Sequence, residues 1–219
     1  MSIDLKAALL EEYALVARAM SAPARLMLLE QLAQGPRGVE GLADKTGLTI
    51  ANTSQHLQTL RRAGLVTSCR NGKSVIYSMR DDKTLVFMEL LRVLAERNLA
   101  QVEKILRQLS EGANGLEALS REDLAARITQ GAVTILDIRP ADEFAMGHIP
   151  GAVNISLQDL ELLLPDLSPE ADIVAYCRGP YCIYAHQAVA TLRKHGLNAR
   201  RLDGGLPEWR ADGRKVATA

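Results

Sequence analysis

At 219 residues and 47% hydrophobic, the chain is long enough for two small domains of about 100 residues each, and its composition excludes a disordered tail protein. The formal charge of zero conceals an asymmetry: residues 1–110 hold 15 Lys and Arg against 11 Asp and Glu, and residues 111–219 hold 11 against 15, so the first half calls for an anionic partner. Three cysteines are too few for a disulfide framework and point to thiol chemistry in a reducing compartment. The start, Met1-Ser-Ile-Asp-Leu-Lys-Ala-Ala-Leu-Leu-Glu-Glu12, has acidic residues on both sides of a short apolar run, unlike a signal peptide. No apolar run approaches the roughly 18 residues of a membrane span, which predicts a cytoplasmic protein without a membrane partner.

Ile3, Leu5, Leu9, Leu10, Tyr13, Leu15, Val16, Ala19 and Met20 fall at helical spacing over residues 3–20. Ser21-Ala-Pro23 then reads as a stop and restart, with Ser21 as N-cap and Pro23 in the first turn of a second helix that ends before Gly35-Pro36. A short helix over Val39–Lys45, a turn at Thr46-Gly47-Leu48 and a longer helix over Ile50–Ala63 form a helix-turn-helix. Residues 65–70 and 74–79 alternate as strands around Asn71-Gly72, a strong hairpin signal. No acidic residue lies between Asp44 and Asp81, whereas Lys45, Arg61, Arg62, Arg70, Lys73 and Arg80 all do, the charge footprint of a phosphate-backbone binder.

Ser54-Gln-His-Leu57, Leu60-Arg-Arg-Ala-Gly-Leu-Val66 and Arg70-Asn-Gly-Lys73 resemble the ArsR-type repressors, small dimeric winged-helix regulators, over residues 5–108. The resemblance implies that the helix from residue 50 reads double-stranded DNA at an operator. With Leu57 and Leu60 turned inward, Thr49, Asn52, Thr53, Gln55, His56 and Gln58 are available to the major groove. Gln and Asn suit adenine edges, while Ser54, Arg61, Arg62 and the wing cations Arg70 and Lys73 suit phosphates. His56 is open to a second reading, as an ordinary helix-surface residue.

From Asp81 to Leu109 the spacing predicts one long helix with more apolar surface than a small domain covers; the resemblance makes it the seam of a homodimer, and a core helix within the chain is the plainer alternative. Many ArsR-type proteins sense metals through a Cys pair ahead of the recognition helix or through His, Asp or Glu on the last helix. Here those places hold Gly38-Val-Glu-Gly-Leu42 and a helix without histidine, so neither a metal nor a cofactor is expected. Ser110-Glu-Gly-Ala-Asn-Gly115 has linker composition, giving a winged-helix domain over 1–110, a linker at 111–115 and a second domain over 116–219.

After Ser120 an amphipathic helix begins, and residues 133–137, 152–155, 172–176 and 199–202 are short β-prone runs separated by helical stretches such as 184–195. That alternation implies an α/β domain with a mainly parallel sheet. The strand over 172–176 runs into Cys177-Arg-Gly-Pro-Tyr-Cys182 and then into a helix beginning near Cys182. Amides at a helix start, together with Arg178, favour a thiolate and lower the Cys177 pKa from its free value of about 8.5. Two small packed cysteines are the plainer alternative.

The pieces Asp137-Ile-Arg139, Glu143-Phe-Ala-Met-Gly-His-Ile149, the strand ending at Cys177 and Gly204-Gly-Leu-Pro-Glu-Trp209 together resemble the rhodanese (sulfurtransferase) domain. The resemblance implies that Cys177 carries a sulfane sulfur as a persulfide. Asp137, Arg139 and Glu143 are then motif residues, either in direct contact with the chemistry or as scaffolding for the loop. His148 is expected to fix a loop, and Trp209 to lie in the core. The family loop, Cys-x-x-Gly-x-Ser/Thr, is altered: glycine comes one place early at Gly179, Pro180 removes an amide donor, Tyr181 is bulky, and Cys182 replaces a hydroxyl residue. The second thiol is a candidate resolving group. Two functions compete: a regulator whose second domain senses persulfide, polysulfide, thiosulfate or oxidant through Cys177 and Cys182, and a sulfurtransferase enzyme that uses its DNA-binding half for autoregulation.

Overall fold

The computed structural model describes residues 3–110, 118–131, 133–168 and 170–218. It forms two compact units, residues 1–84 and 85–219.

In the first unit, α1 (Ile3–Met20) is closed by Ser21, whose hydroxyl donates to the Arg18 carbonyl at 2.8 Å, and by Arg25, which donates to the Ala19 and Arg18 carbonyls at 2.6 and 2.8 Å. Ser21 therefore ends one helix instead of capping the next. α2 (Pro23–Ala33) starts on Ala22 without a side-chain cap, because the fixed φ of Pro23 and its missing N–H already suit a first turn. α3 (Val39–Thr46) stops at Gly47, whose φ of +67° costs a glycine little. α4 (Ile50–Arg62) is capped by Thr49, which accepts a hydrogen bond from the Asn52 amide at 3.2 Å. Leu28, Leu29, Leu32, Leu42, Leu57 and Leu60 are the buried stripes that hold these helices together.

The three strands β1 (Arg37–Gly38), β2 (Val66–Asn71) and β3 (Ser74–Met79) form an antiparallel sheet in the order β1-β3-β2. Asn71 pairs with Ser74, so the turn residues are Gly72 (φ +60°) and Lys73, one place later than the Asn71-Gly72 dipeptide suggests. The strand β1 has no signature in two residues and exists only because β3 offers it a partner.

The second unit begins within α5 (Lys83–Asn98), which is followed by α6 (Ala100–Ser110), two helices where the apolar spacing predicts one. The break falls where the Asn98 side chain donates to the Leu94 carbonyl at 2.8 Å, a local bond that competes with helix continuation. The units divide between Thr84 and Leu85, ahead of the boundary expected at residue 110, and the expected linker at 111–115 lies outside the described residues.

The rest of the unit alternates β4 (Ala118–Leu119), α7 (Arg121–Gln130), β5 (Thr134–Asp137), α8 (Ala141–Met146), β6 (Ala152–Asn154), α9 (Leu160–Leu163) with a 3₁₀ turn over Leu164–Asp166, β7 (Asp172–Tyr176), α10 (Ile183–Lys194), β8 (Asn198–Leu202) and α11 (Leu206–Ala211). The sheet order is β4-β8-β7-β5-β6 and every pairing is parallel. Successive strand residues pack on opposite faces. Leu136, Ile173, Ala175 and Ala199 meet Ala188 and Leu192 of α10, while Ile135, Val174, Tyr176 and Leu202 meet Leu124 and Trp209. Both faces are thus covered, as a parallel sheet requires, and the loops leaving β5, β7 and β8 gather at one edge.

Candidate functional site

Cys177 follows the last residue of β7 and is buried, and Cys182 is the residue on which α10 starts. Their sulfurs are bonded and their Cα atoms are 6.1 Å apart, a separation ordinary for a disulfide. The loop between them is folded into a turn by the Cys182 amide, which donates to the Gly179 carbonyl at 3.2 Å. The third cysteine, Cys69, is exposed on β2 with a free thiol.

Gly205 explains why the loop lies where it does. A Cβ there would stand 2.5 Å from the Gly179 nitrogen and 2.7 Å from the Arg178 carbonyl carbon, with the Cys177 oxygen closer still. Only a residue without a side chain lets the strand-to-helix connection before α11 lie flat against the cysteine loop. The Leu206 amide then donates to the Cys177 carbonyl at 3.4 Å, and Glu208 accepts from the Gly205 amide at 2.8 Å. The Glu208 carboxyl faces Gly179, and burial pushes its pKa above the ordinary glutamate value.

Asp137 and Arg139 are wholly buried and bonded to each other. Arg139 donates through Nε and Nη2 to Asp137 at 3.0 and 2.5 Å and through Nη2 to the Gly147 carbonyl at 2.6 Å. Asp137 also accepts the Tyr176 hydroxyl at 2.5 Å, and that hydroxyl accepts the Ile149 amide at 3.0 Å. Burial works against the Arg139 charge, but the bonds to Asp137 outweigh it and its pKa is raised; burial and the Asp137 charge together push the Tyr176 hydroxyl pKa up. The pair therefore fixes the ends of β5 and β7 and the loop bearing His148. His148 is further held by a ring stack on Phe144 at 3.8 Å and by backbone pairing with Ala217.

Arg178, read from the sequence as a stabiliser of the Cys177 thiolate, is paired with Glu143 of α8. Its Nε and Nη2 grip the buried Glu143 carboxylate at 2.7–3.0 Å, and those bonds raise its pKa. Its charge anchors the loop to α8. Sequence reasoning passed over Tyr176 and Glu208, whose apolar surroundings gave no signal, and Tyr181, noted only for its bulk. The Tyr181 hydroxyl donates to Glu96 of α5.

On α4, Asn52, Gln55, Gln58, Arg61 and Arg62 are exposed together with Thr49, as are Arg70 and Lys73 on the hairpin, while Ser54 and His56 are half-buried. Thr53 does not belong with them. It is fully buried with an unbonded hydroxyl, because residue 53 shares the inward face with Leu57 and Leu60.

Residues 22–68 match the family model of bacterial regulatory proteins of the arsR family, and residues 120–212 match that of the rhodanese-like domain. The chain is also 39% identical, over 97% of its length and 93% of the relative's, to the HTH-type transcriptional regulator Rv0324 of Mycobacterium tuberculosis. The chain belongs to the ArsR-family transcriptional regulators and carries a rhodanese-like domain. Among solved structures, a winged helix-turn-helix domain of Mycobacterium bovis described as homodimeric is 36% identical (TM-score 0.43, 46% of this chain, 94% of that one). A rhodanese-related protein of Thermoplasma volcanium is 26% identical (TM-score 0.42, 47% of this chain, 99% of that one). In this regulator α3 and α4 are the helix-turn-helix, β2 and β3 the wing, and β4 to α11 the rhodanese-like domain. No helix among the described residues is long and apolar enough to cross a membrane.

Proposed function

We propose that this ArsR-family regulator senses reactive sulfur species through Cys177 and Cys182 and converts their state into a change in operator binding. The observation that carries the reading is the bonded pair itself, on the loop where the rhodanese motif places its sulfur carrier. The chemistry balances without a cofactor. The Cys177 thiolate attacks a sulfane sulfur of a polysulfide; the donor S–S bond breaks and its electron pair leaves with the shortened polysulfide. Cys182, as thiolate, then attacks the Cys177 sulfur, the persulfide bond breaks, and HS⁻ departs. Two thiols are oxidised and one sulfane sulfur is reduced to sulfide.

The regulator acts on double-stranded DNA as a homodimer in the cytoplasm. Leu90, Leu91, Val93, Leu94 and Leu99 on α5 and at its end are exposed, as are Leu5, Leu9 and Leu10 on α1, more apolar surface than a monomer ordinarily leaves wet. Asn52, Gln55 and Gln58 suit base edges, and Arg61, Arg62, Arg70 and Lys73 suit phosphates. Sulfurtransferase turnover is the second reading, favoured by the position of Cys177 directly after β7 and opposed by Cys182, which would discharge the persulfide before an external acceptor arrived.

The test is an electrophoretic mobility shift on the DNA upstream of the protein's own gene, with polysulfide and then reductant. A reversible change in affinity that Cys177→Ser abolishes is the expected result. Brisk thiosulfate turnover with a DNA affinity indifferent to every sulfur species would establish the enzyme reading instead.

A further inference from the structure

The residue before Cys182 connects the cysteine loop to the helix that opens the second unit. Tyr181 is half-exposed, and its hydroxyl donates to Oε1 of Glu96 on α5. The same carboxylate oxygen accepts Nη1 of Arg92 at 2.8 Å, and the Arg92 guanidinium carbon lies 6.0 Å from the centre of the Tyr181 ring. Two turns earlier on the helix, Glu89 accepts Nη2 of Arg121 at 2.9 Å. Arg121 in turn holds Asp212 through Nε at 2.7 Å and the Asp203 carbonyl through Nη1 at 3.2 Å. Glu89, Arg92 and Glu96 stand at i, i+3 and i+7, so one face of α5 makes all these bonds while Leu90, Val93 and Leu94 are exposed.

The two attachments differ in kind. Arg121 starts α7, and its partners just after α11 and just after β8 lie outside the cysteine loop, so the Glu89 end of α5 is held whatever the cysteines do. Tyr181 sits inside the six-residue loop that the Cys177–Cys182 bond closes. With the bond in place, the span from β7 to α10 is fixed at both ends and the hydroxyl is held over Glu96. Without it, the backbone at Gly179 and Tyr181 regains freedom, and keeping Tyr181 on Glu96 costs the entropy of ordering that loop.

We propose that the Tyr181–Glu96 hydrogen bond is the link through which the bonding state of Cys177 and Cys182 reaches α5. Bridging locks α5 at a further point along its length; reduction releases that point and leaves the Glu89 attachment in place. The inference rests on the sensing function proposed above and names its route. A bulky tyrosine beside Gly179 and Pro180 acquires a purpose: its hydroxyl bonds to α5.

The test uses the full chain and Tyr181→Phe, which keeps the ring and removes only the hydroxyl, with Glu96→Ala as an independent break of the same bond. Bridge formation is read by mass spectrometry as the cross-link between the tryptic peptide ending at Arg178 and the one starting at Gly179. Hydrogen exchange over residues 83–98 and operator affinity are measured in the bridged and reduced states. In the wild type, bridging slows exchange over the last two turns of α5 by about fivefold, the effect of one hydrogen bond of about 1 kcal/mol. Both variants still bridge, but their α5 exchange stays at the reduced level and their operator affinity changes less than twofold between states. Slowing of α5 in Tyr181→Phe to the wild-type extent overturns the proposal, even if DNA binding still responds to the bridge. A wild-type protein whose α5 responds while its DNA affinity does not would sink the sensing reading and leave the coupling intact.

Discussion

Replacing Gly205 by Ala probes the contact that positions the cysteine loop. The new methyl would stand 2.5 and 2.7 Å from backbone atoms of Gly179 and Arg178, about 1 Å inside ordinary van der Waals distance, and neither neighbour is a side chain that can swing away. Overpacking of this kind costs about 1–3 kcal/mol. Relief requires α11 and the loop to part, which also forfeits the Leu206-to-Cys177 hydrogen bond, about 1 kcal/mol more. The expected loss is therefore about 2–4 kcal/mol. Gly179 supplies the control, since a Cβ there meets only Glu208 oxygens at 3.7 and 3.9 Å, and Gly179→Ala should stay within about 1 kcal/mol of wild type. Urea unfolding followed by the fluorescence of Trp209, the single tryptophan, reports on this unit because Trp209 is buried on the helix that Gly205 precedes. Equal stability of the Gly205→Ala protein and wild type would refute the close-approach argument, as would an equal loss in Gly179→Ala.

Asp137→Asn should destabilise the second unit by about 3–5 kcal/mol in the same assay, because it removes the charged acceptor of the buried Arg139 Nε and Nη2 donors. Thr53→Val should leave operator affinity unchanged and stability equal or higher by up to about 1 kcal/mol, since it removes a buried hydroxyl without a partner; weakened DNA binding at unchanged stability would return Thr53 to the interface. Alanine at both Arg70 and Lys73 should weaken binding to all sequences and reduce the slope of log affinity against log salt by about 1.8, two phosphates' worth, and an unchanged slope would remove the wing from the DNA. Glu208→Gln probes the buried carboxyl. The folded pKa of Glu208 lies above its ordinary 4.5, so the folded protein binds more protons than the unfolded chain in the window above 4.5, and wild-type stability falls as pH rises through it. Glutamine can still accept the Gly205 amide and does not ionise. Its stability relative to wild type should thus rise with pH over that window, and a flat difference from pH 4 to 8 would contradict the burial argument.

The sequence by itself determined the two-part architecture and most of its elements. Short β-prone runs such as Asp172–Tyr176 became β7 residue for residue, and Gly47 and Ser120 punctuate helices where conformational freedom or a side-chain oxygen acts, because these signals are local. The sequence also shows that Cys177 and Cys182, five positions apart with Gly179 between them, can meet, but it left open whether they bridge. What the sequence left undecided is where long side chains turn. Arg178 is as basic as a thiolate stabiliser needs to be, yet it lies on Glu143, 35 residues earlier, because α8 brings a buried carboxylate within reach. Thr53 looks like its neighbours on the recognition helix and differs only in helical phase, which the packing of α4 against α2 and α3 sets. Gly205 reads as half of a motif until the backbone of the cysteine loop is seen pressed against it. Tyr181 shows the limit most clearly: its partner Glu96 lies 85 residues away on α5, a helix whose apolar spacing marked it only as a seam, and no local pattern joins the two until the tertiary structure lays one beside the other.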